Sequence, residues 1–135
     1  QGPFSWQHDV DIISDHEISI FNNNNSLTDK NYSEIVIYNF ETEKFSKKFN
    51  KGLIENNFKT STEGLSEILD DGSMLAEEQN HGRIIFFNKD GKKEWEYINK
   101  DDEKNIYFIS WSRVLENEEL IKNLKNIYKN KKCSN

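Results

Sequence analysis

The sequence contains little cysteine, no long apolar run and no excess of positive charge. Cys133 is the only cysteine and lies in a polar tail, so no disulfide can form within the chain. No apolar stretch approaches the roughly 20 residues that a membrane-spanning helix requires, and no basic segment followed by an apolar segment marks the N-terminus. We therefore expect a soluble chain with no membrane span. The single cysteine does not indicate whether its compartment is oxidising or reducing.

Negative charge exceeds positive charge. Eighteen lysines and arginines stand against 24 aspartates and glutamates, which gives a formal net charge of −6. Proteins that bind nucleic acid gain much of their affinity by neutralising phosphates, which requires the opposite sign. Nucleic acid is therefore not an expected partner.

Short apolar or alternating runs, bounded by clusters of Asp, Asn, Gly and Lys, follow one another from Trp6 to about Arg113. Such runs are typical of β-strands separated by turns. The predicted strands are residues 7–13, 17–21, 34–39, 44–49, 64–69, 73–78, 83–88 and 93–98. The expected fold class is therefore all-β.

These strands form two copies of one four-strand plan. The segment "IISDHEISIF" aligns with "EILDDGSMLA" at an offset of 55 residues, and "EIVIYNFETEKF" aligns with "RIIFFNKDGKKE" at an offset of 49. A repeat of about this length with four short strands is typical of β-propeller blades. We therefore expect a partial β-propeller over residues 4–115, with four-stranded antiparallel blades at residues 4–50 and 60–99.

Three segments lie outside the two predicted blades. The run "NIYFISWSRV", residues 105–114, continues the apolar pattern and predicts a ninth strand. Residues 116–130 change to helical spacing and predict a short C-terminal α-helix, followed by a tail at residues 131–135. The first three residues, "QGP", are compatible with a cleavage or expression remnant.

The predicted helix is amphipathic. Asn117 can cap its N-terminus, and its apolar side chains fall on one stripe formed by Leu120, Leu124, Ile127 and Tyr128. An apolar stripe of this kind is normally buried against another element. We expect it to dock on the sheets or on another chain.

Several motifs recur in a fixed order between Phe4 and Arg113: "WQHDV", "SIFNN", "YSEIVIY", "EGLSEILDDGSML", "GRIIFFNKDGKKEWEY" and "IYF". In this order the sequence resembles the C-terminal part of the arylsulfotransferase-like β-propellers, the aryl sulfate sulfotransferases that need no nucleotide sulfate donor. The resemblance implies transfer of a sulfuryl group from an aryl sulfate to a phenol through a transient sulfohistidine. It also implies that no cofactor is needed and that the protein is periplasmic or secreted.

The resemblance assigns roles to a few residues. His8 in "WQHDV" matches the family's nucleophilic histidine, which makes it the candidate catalytic residue. Asn22 and Asn23 stand in the family's Phe-Asp-Asn turn, and Tyr107 stands in its closing Tyr-Arg-Ala strand; these three are candidate binding residues for an aryl sulfate or another small anion. Asn22 replaces the usual aspartate, and Phe108 replaces the usual arginine.

A histidine nucleophile must be neutral, with one ring nitrogen free and the other held by an acceptor. Strand alternation places Gln7 and Asp9 on the face opposite His8, so the orienting partner is expected from another part of the fold. The alternative interpretation of His8 is a strand residue that hydrogen-bonds to a neighbouring blade without any catalytic role. His16 and His81 lie in predicted turns and are expected to be solvated.

The remaining charged residues predict no further site. Asp9, Asp11 and Asp15 lack the spacing of a calcium loop, so no metal is expected at them. The only arginines, Arg83 and Arg113, are expected to be surface or blade-edge charges.

Two blades and one strand cannot close a propeller ring, so an apolar face is expected at each end. Self-association into a homo-oligomer, N-terminal blades outside this sequence, or the C-terminal helix could cover these faces. Two functions remain open: a sulfotransferase-like enzyme built around His8, and a non-catalytic propeller module for binding or assembly. A third alternative is a propeller that binds a solute or carbohydrate. It would require exposed aromatic residues around the mouth of the propeller axis.

Overall fold

The computed structural model describes residues 4–24 and 31–131. The proposed remnant at residues 1–3 and residues 132–135 of the predicted tail lie outside the described residues. The Asn-rich loop between the second and third strands is described only at its two ends.

The first repeat folds into a four-stranded antiparallel sheet with strand order β1-β2-β3-β4. Its strands are β1 (Gln7–Ser14), β2 (Glu17–Asn22), β3 (Glu34–Asn39) and β4 (Lys44–Ser46). A tight turn at Asp15 and His16 joins β1 to β2. The prediction is confirmed for all four strands, although β4 ends earlier than expected.

The second repeat folds into a sheet with the same plan and the strand order β5-β6-β7-β8. Its strands are β5 (Leu65–Ile68), β6 (Met74–Glu78), β7 (Arg83–Phe87) and β8 (Lys93–Ile98). A short 3₁₀ turn, Gln79–His81, joins β6 to β7. The described fold is therefore all-β in its two sheets, as predicted.

A helix that was not predicted, α1 (Asn50–Glu55), connects the two sheets. Phe49 and Leu53 are fully buried and lie four residues apart, which places both on one side of the helix. At Gly52 an added Cβ would lie only 2.2 Å from the carbonyl oxygen of Gly91, so the helix packs closely against the turn after β7. The helix is anchored by packing between the repeats, a cause that local sequence does not show.

One hydrophobic core joins the two repeats. The first sheet and α1 contribute Phe21, Ile35, Ile37, Phe49 and Leu53, and the second repeat contributes Phe58, Met74, Ala76, Ile85 and Phe87. Burying one large apolar side chain of this kind contributes about 1.5–3 kcal/mol. The two sheets therefore stabilise each other.

The predicted ninth strand is not formed in the described residues. Residues 105–114 make a single bridge, between Ile106 and Lys100, and are otherwise extended without a paired strand. A strand requires a neighbouring backbone with which to exchange hydrogen bonds, and this segment is held mainly by side chains. We call residues 106–114 the C-terminal strap.

The predicted C-terminal helix is confirmed as α2 (Glu118–Asn130). The side-chain Oδ1 of Asn117 accepts a hydrogen bond from the backbone N–H of Leu120 at 2.8 Å, which caps the helix. None of its residues is buried, so the predicted docking of its apolar stripe is not found within the described residues. Neither described helix is long and apolar enough to cross a membrane.

Candidate functional site

His8 lies at the beginning of β1, beside a β-bulge. His8 pairs with Phe21 and Val10 pairs with Ile20, so Asp9 is the extra residue between them. Asp9 has a φ of 52°, a left-handed conformation that changes the direction of the strand. The bulge turns both His8 and Asp9 toward β5. The expectation that Asp9 faces away from His8 was therefore wrong, because the strand does not alternate regularly here.

A backbone carbonyl of the second repeat holds the His8 ring. His8 Nδ1 lies 2.8 Å from the carbonyl oxygen of Gly64. A carbonyl oxygen only accepts hydrogen bonds, so Nδ1 is the donor and carries the proton. In the neutral ring Nε2 then keeps its lone pair. The orienting partner thus comes from another part of the fold, as both interpretations of His8 anticipated.

Asp9 makes the second contact across the same junction. Its Oδ2 accepts a hydrogen bond from the backbone N–H of Ser66 at 2.9 Å. The dipeptide therefore donates one hydrogen bond to β5 through His8 and accepts one through Asp9. Charge-assisted hydrogen bonds of the Asp9 type are the stronger of the two. Together they fix the beginning of β1 against β5.

Gly64 allows this close approach. A Cβ at this position would lie 2.2 Å from Cζ of Phe21 and 2.8 Å from Cγ2 of Thr60. Real side chains do not approach so closely, so only glycine fits here without displacement. The local sequence predicts a strand start at Gly64, and the packing explains why the residue is glycine.

A small polar cleft of about 170 Å³ lies along the β1–β5 junction and is lined by Asp11, Ile12, Ile13, Glu67, Ile68 and Arg113. Burial, followed by repulsion from Asp9, raises the pKa of Asp11, although Arg113 opposes this rise. Two carboxylates face one guanidinium, so the cleft disfavours an anion such as sulfate. Arg113 is exposed, as expected, with its guanidinium 5.4 Å from the centre of the Trp111 ring.

Asn22 and Asn23, the first two candidate binding residues, are buried at the end of β2. Asn22 Oδ1 accepts from the backbone N–H of Ser5 at 3.0 Å, and Asn22 Nδ2 donates to Asn24 Oδ1 at 2.7 Å. Asn23 Oδ1 accepts from Ser33 Oγ at 3.4 Å. In the sheet Asn22 pairs with Gln7, the residue before His8. Its side chain, however, holds the segment that leads into β1. These contacts favour a structural role for Asn22, whereas Nδ2 of Asn23 is buried without a hydrogen-bond partner.

Glu34 stands at the start of β3. It is 1% exposed, and its Oε1 accepts from Lys47 Nζ at 2.9 Å and from Asn50 Nδ2 at 3.0 Å. The carboxylate joins β3 to the segment that follows β4. A buried acid with donors of this kind is satisfied, so it adds no cation to the site.

Tyr107, the third candidate binding residue, is exposed on the C-terminal strap. Its hydroxyl donates to Asp101 Oδ2 at 2.7 Å, and this hydrogen bond raises the pKa of Tyr107. The pKa of Asp101 is lowered most by the hydrogen bond from the Asn105 side chain and next by this hydrogen bond from Tyr107. Tyr107 therefore holds the turn after β8, and no contact in residues 4–24 and 31–131 joins it to His8.

The other histidines and Arg83 contact carboxylates: His16 contacts Glu41 in a turn, and His81 and Arg83 contact Glu78 at the end of β6. His16 Nε2 lies 3.5 Å from Glu41 Oε1, and His81 Nδ1 lies 3.2 Å from Glu78 Oε1. Arg83 Nε donates to Glu78 Oε2 at 2.6 Å. Within the described part of the chain, no group of three or more His, Cys, Asp or Glu side chains is placed to hold a metal ion.

Sequence reasoning missed the partners of His8 although a signal was present. The hydrogen bond joins residues 56 positions apart, one more than the offset of 55 between the first aligned segments. Gly64 therefore lies next to the residue of the second repeat that the alignment matches to His8. The sequence offset could have placed these residues beside each other, but the bulge that directs Asp9 to the same strand had no visible signal.

These observations define an all-β repeat protein with an oriented histidine where its two sheets meet. The family model described as Arylsulfotransferase (ASST) matches residues 1–100. The match includes His8 and both sheets, so the chain belongs to the arylsulfotransferase family. Neither the curated proteins nor the solved structures yielded a match.

Proposed function

We propose that the two sheets are adjacent blades of an arylsulfotransferase-like β-propeller. Family membership and the identical strand order of the sheets support this arrangement. The contacts of His8 with Gly64 and of Asp9 with Ser66 bring β1 beside β5, so the first strands of the repeats are neighbours. Blades around a propeller axis have this relationship. The strap and α2 lie beyond the matched residues.

Within this propeller, His8 is the nucleophile for sulfuryl transfer. The observation that carries this assignment is the hydrogen bond from His8 Nδ1 to Gly64, which in the neutral ring leaves the lone pair on Nε2 of an exposed side chain. Nε2 would attack the sulfur of an aryl sulfate, and the bond from sulfur to the aryl oxygen would break as phenolate leaves. A second phenol would then attack the same sulfur, break the N–S bond and lose its proton to solvent.

The described residues supply only part of this site. Sulfuryl oxygens need cationic or hydrogen-bond donors, as phosphoryl oxygens do. Arg83 is bound to Glu78 and to the carbonyl oxygen of Asn56, and Arg113 lies over Trp111. The donors for the sulfuryl group therefore come from other blades or from other copies of the chain. Turnover requires that assembly.

The test combines solution mass with chemistry. Light scattering coupled to size-exclusion chromatography gives the assembly state, and each species is then mixed with an aryl sulfate. We expect an assembled species to release phenol and to gain the mass of one SO₃ group on the peptide containing His8. His8→Asn keeps a donor for the Gly64 carbonyl and should abolish both signals, whereas the matched variant His16→Asn should leave them unchanged.

An assembled species without phenol release and without the SO₃ adduct would contradict the enzyme assignment. Release that survives His8→Asn would contradict the role of His8. A monomer that is inactive alone and remains inactive with the blades that complete its ring would contradict both.

The second candidate function is a non-catalytic module for binding or assembly. Asn22 is buried and hydrogen-bonded and Tyr107 is bound to Asp101, so neither is free for a ligand in this chain, whereas Nδ2 of the buried Asn23 has no hydrogen-bond partner. Large apolar side chains remain exposed, including Ile12 at 83%. A homo-oligomer would cover such surfaces. For this function, His8→Asn would change stability or assembly and no turnover would be measurable.

A further inference from the structure

Two buried side chains at the end of β6 have acceptor oxygens without a donor. Glu77 is completely buried, and neither of its carboxylate oxygens has a hydrogen-bond partner. Gln79 is 7% exposed, and its Oε1 also lacks a partner. Buried polar groups are nearly always satisfied, so three acceptors without a donor at one strand end require an explanation.

The side-chain alternation of β6 directs Glu77 away from the first sheet. Met74 and Ala76 belong to the core between the sheets. Because successive side chains of a strand point to opposite faces, Glu77, which follows Ala76, faces the other side of the second sheet. Glu77 pairs with Leu65 of β5 and with Ile84 of β7, which places it in the interior of that sheet face.

The C-terminal strap crosses this face of the second sheet. Gln79 Nε2 donates to the carbonyl oxygen of Ser110 at 2.9 Å, and the backbone N–H of Ile109 donates to the carbonyl oxygen of Gln79 at 3.4 Å. Further along, the backbone N–H of Val114 donates to Glu67 Oε2 at 2.9 Å. Glu67 pairs with Leu75 of β6, so Glu77 lies between the two points of the second sheet, Glu67 and Gln79, at which the strap is held.

The orientation of the Gln79 amide follows from its contact with the strap. Because Nε2 donates to a carbonyl oxygen, the other terminal atom must be the acceptor Oε1. Arg83 and His81 do not serve Glu77, since both contact the adjacent Glu78. An ionised carboxylate buried without a donor or counterion is strongly unfavourable.

We propose that Glu77 and Gln79 bind a hard divalent cation of the Ca²⁺ class between the second sheet and the C-terminal strap. Such ions take carboxylate oxygens, singly or in pairs, together with amide carbonyl oxygens, and water completes their coordination. Both oxygens of Glu77 and Oε1 of Gln79 are the ligands. The ion neutralises the buried carboxylate and fastens the strap to β6. This site is separate from Asp9, Asp11 and Asp15.

The test uses the whole chain stripped of metal with a chelator and titrated with CaCl₂, with MgCl₂ in parallel. Calorimetry should show one saturable site. Hydrogen exchange of the backbone amides of Ile109 and Val114, which hold the strap, should slow by about tenfold or more when Ca²⁺ is bound. Amides in β3, on the other sheet, should change little.

Two variants identify the ligands. Glu77→Gln keeps the side-chain volume and removes the charge, so it should abolish the Ca²⁺ response. Gln79→Met keeps the length and removes the acceptor, so it should weaken binding by about tenfold or more. Glu94→Gln changes an exposed glutamate of β8 and should bind as the native chain does.

Three results would overturn the proposal. The first is the absence of any heat or exchange response to both ions. The second is a Ca²⁺ response that survives Glu77→Gln. The third is a native chain that ignores Ca²⁺ while Glu77→Gln unfolds at the same or a higher temperature, because Glu77 would then be buried as a neutral acid. All of these measurements are independent of sulfuryl transfer.

Discussion

His8 Nδ1 lies 2.8 Å from the carbonyl oxygen of Gly64, a residue 56 positions further along the chain. The two residues belong to different repeats, so the packing of one repeat against the next sets the orientation of the imidazole. Whatever displaces β5 from β1 should therefore also change the chemistry available at His8.

Gly64→Ala should destabilise the fold. The new methyl group would lie 2.2 Å from the Phe21 ring, and overpacking of this kind costs about 1–3 kcal/mol. Urea unfolding followed by tryptophan fluorescence measures the change. Glu63→Ala, an exposed neighbour, is the matched control and should change stability by less than about 0.5 kcal/mol. A Gly64→Ala variant as stable as this control would contradict the packing.

Asp9→Ala should weaken the junction between the repeats. The Ser66 N–H would lose a charged acceptor, and a hydrogen bond to a charged group contributes about 1.5–3 kcal/mol. Thermal unfolding should show the loss, and the β5 amide of Ser66 should exchange faster with solvent. Asp15→Ala, in the turn after β1, is the control. Equal effects of the two variants would argue against the Asp9 contact.

Asp11→Asn should increase stability at neutral pH. Burial and Asp9 raise the pKa of Asp11 above its ordinary value of 3.8, so the folded chain holds this proton more tightly than the unfolded chain. Stability is then lost as the pH rises from 3.8 through the folded pKa. The advantage of the variant at pH 7 should disappear below that range. Urea midpoints across pH test this, and a variant less stable at pH 7 would refute it.

Asp71→Asn should have the opposite pH dependence. Hydrogen bonds from the Ser73 hydroxyl and backbone N–H lower the pKa of Asp71, so its contribution to stability is present above 3.8 and is lost as the pH falls through the folded pKa. The variant should therefore be less stable than the native chain at neutral pH and equal to it in strong acid. The same urea series measures both aspartates. A uniform difference at every pH would exclude titration as the cause.

Asn117→Ala should reduce the helicity of α2. The cap hydrogen bond to the Leu120 N–H contributes about 1 kcal/mol to helix stability. Asn123→Ala, inside the helix, should raise helicity because alanine has the higher helix propensity. Circular dichroism at helical wavelengths measures both. Because no α2 residue is buried, the unfolding midpoint of the sheets should stay constant in both variants. A shifted midpoint would show that α2 packs on the sheets.

Local pattern was enough to locate the strands. The bounds of β3 (Glu34–Asn39) and β8 (Lys93–Ile98) match the prediction residue for residue. The prediction of β6 began one residue too early, at Ser73. Apolar runs and turn residues act over a few positions, so these elements are encoded where they occur.

Elements that depend on distant contacts were predicted less well. The strand predicted over residues 44–49 ends at Ser46, and the chain turns into α1 because Phe49 and Leu53 fill the core between the repeats. The strap has a strand-like sequence, but the described residues offer it side chains of Gln79 and Glu67 in place of a backbone edge. An apolar run alone does not indicate which other segment of the chain it will pack against.

The sequence by itself determined the all-β class, the two four-strand repeats, the family resemblance and the choice of His8, because these rest on local pattern and motif order. The tertiary structure decided which groups contact His8 and which candidate residues are buried. The physical reason is the bulge at Asp9 and the contact with Gly64. Both depend on the packing of two segments far apart in the chain, and no local pattern contains that information.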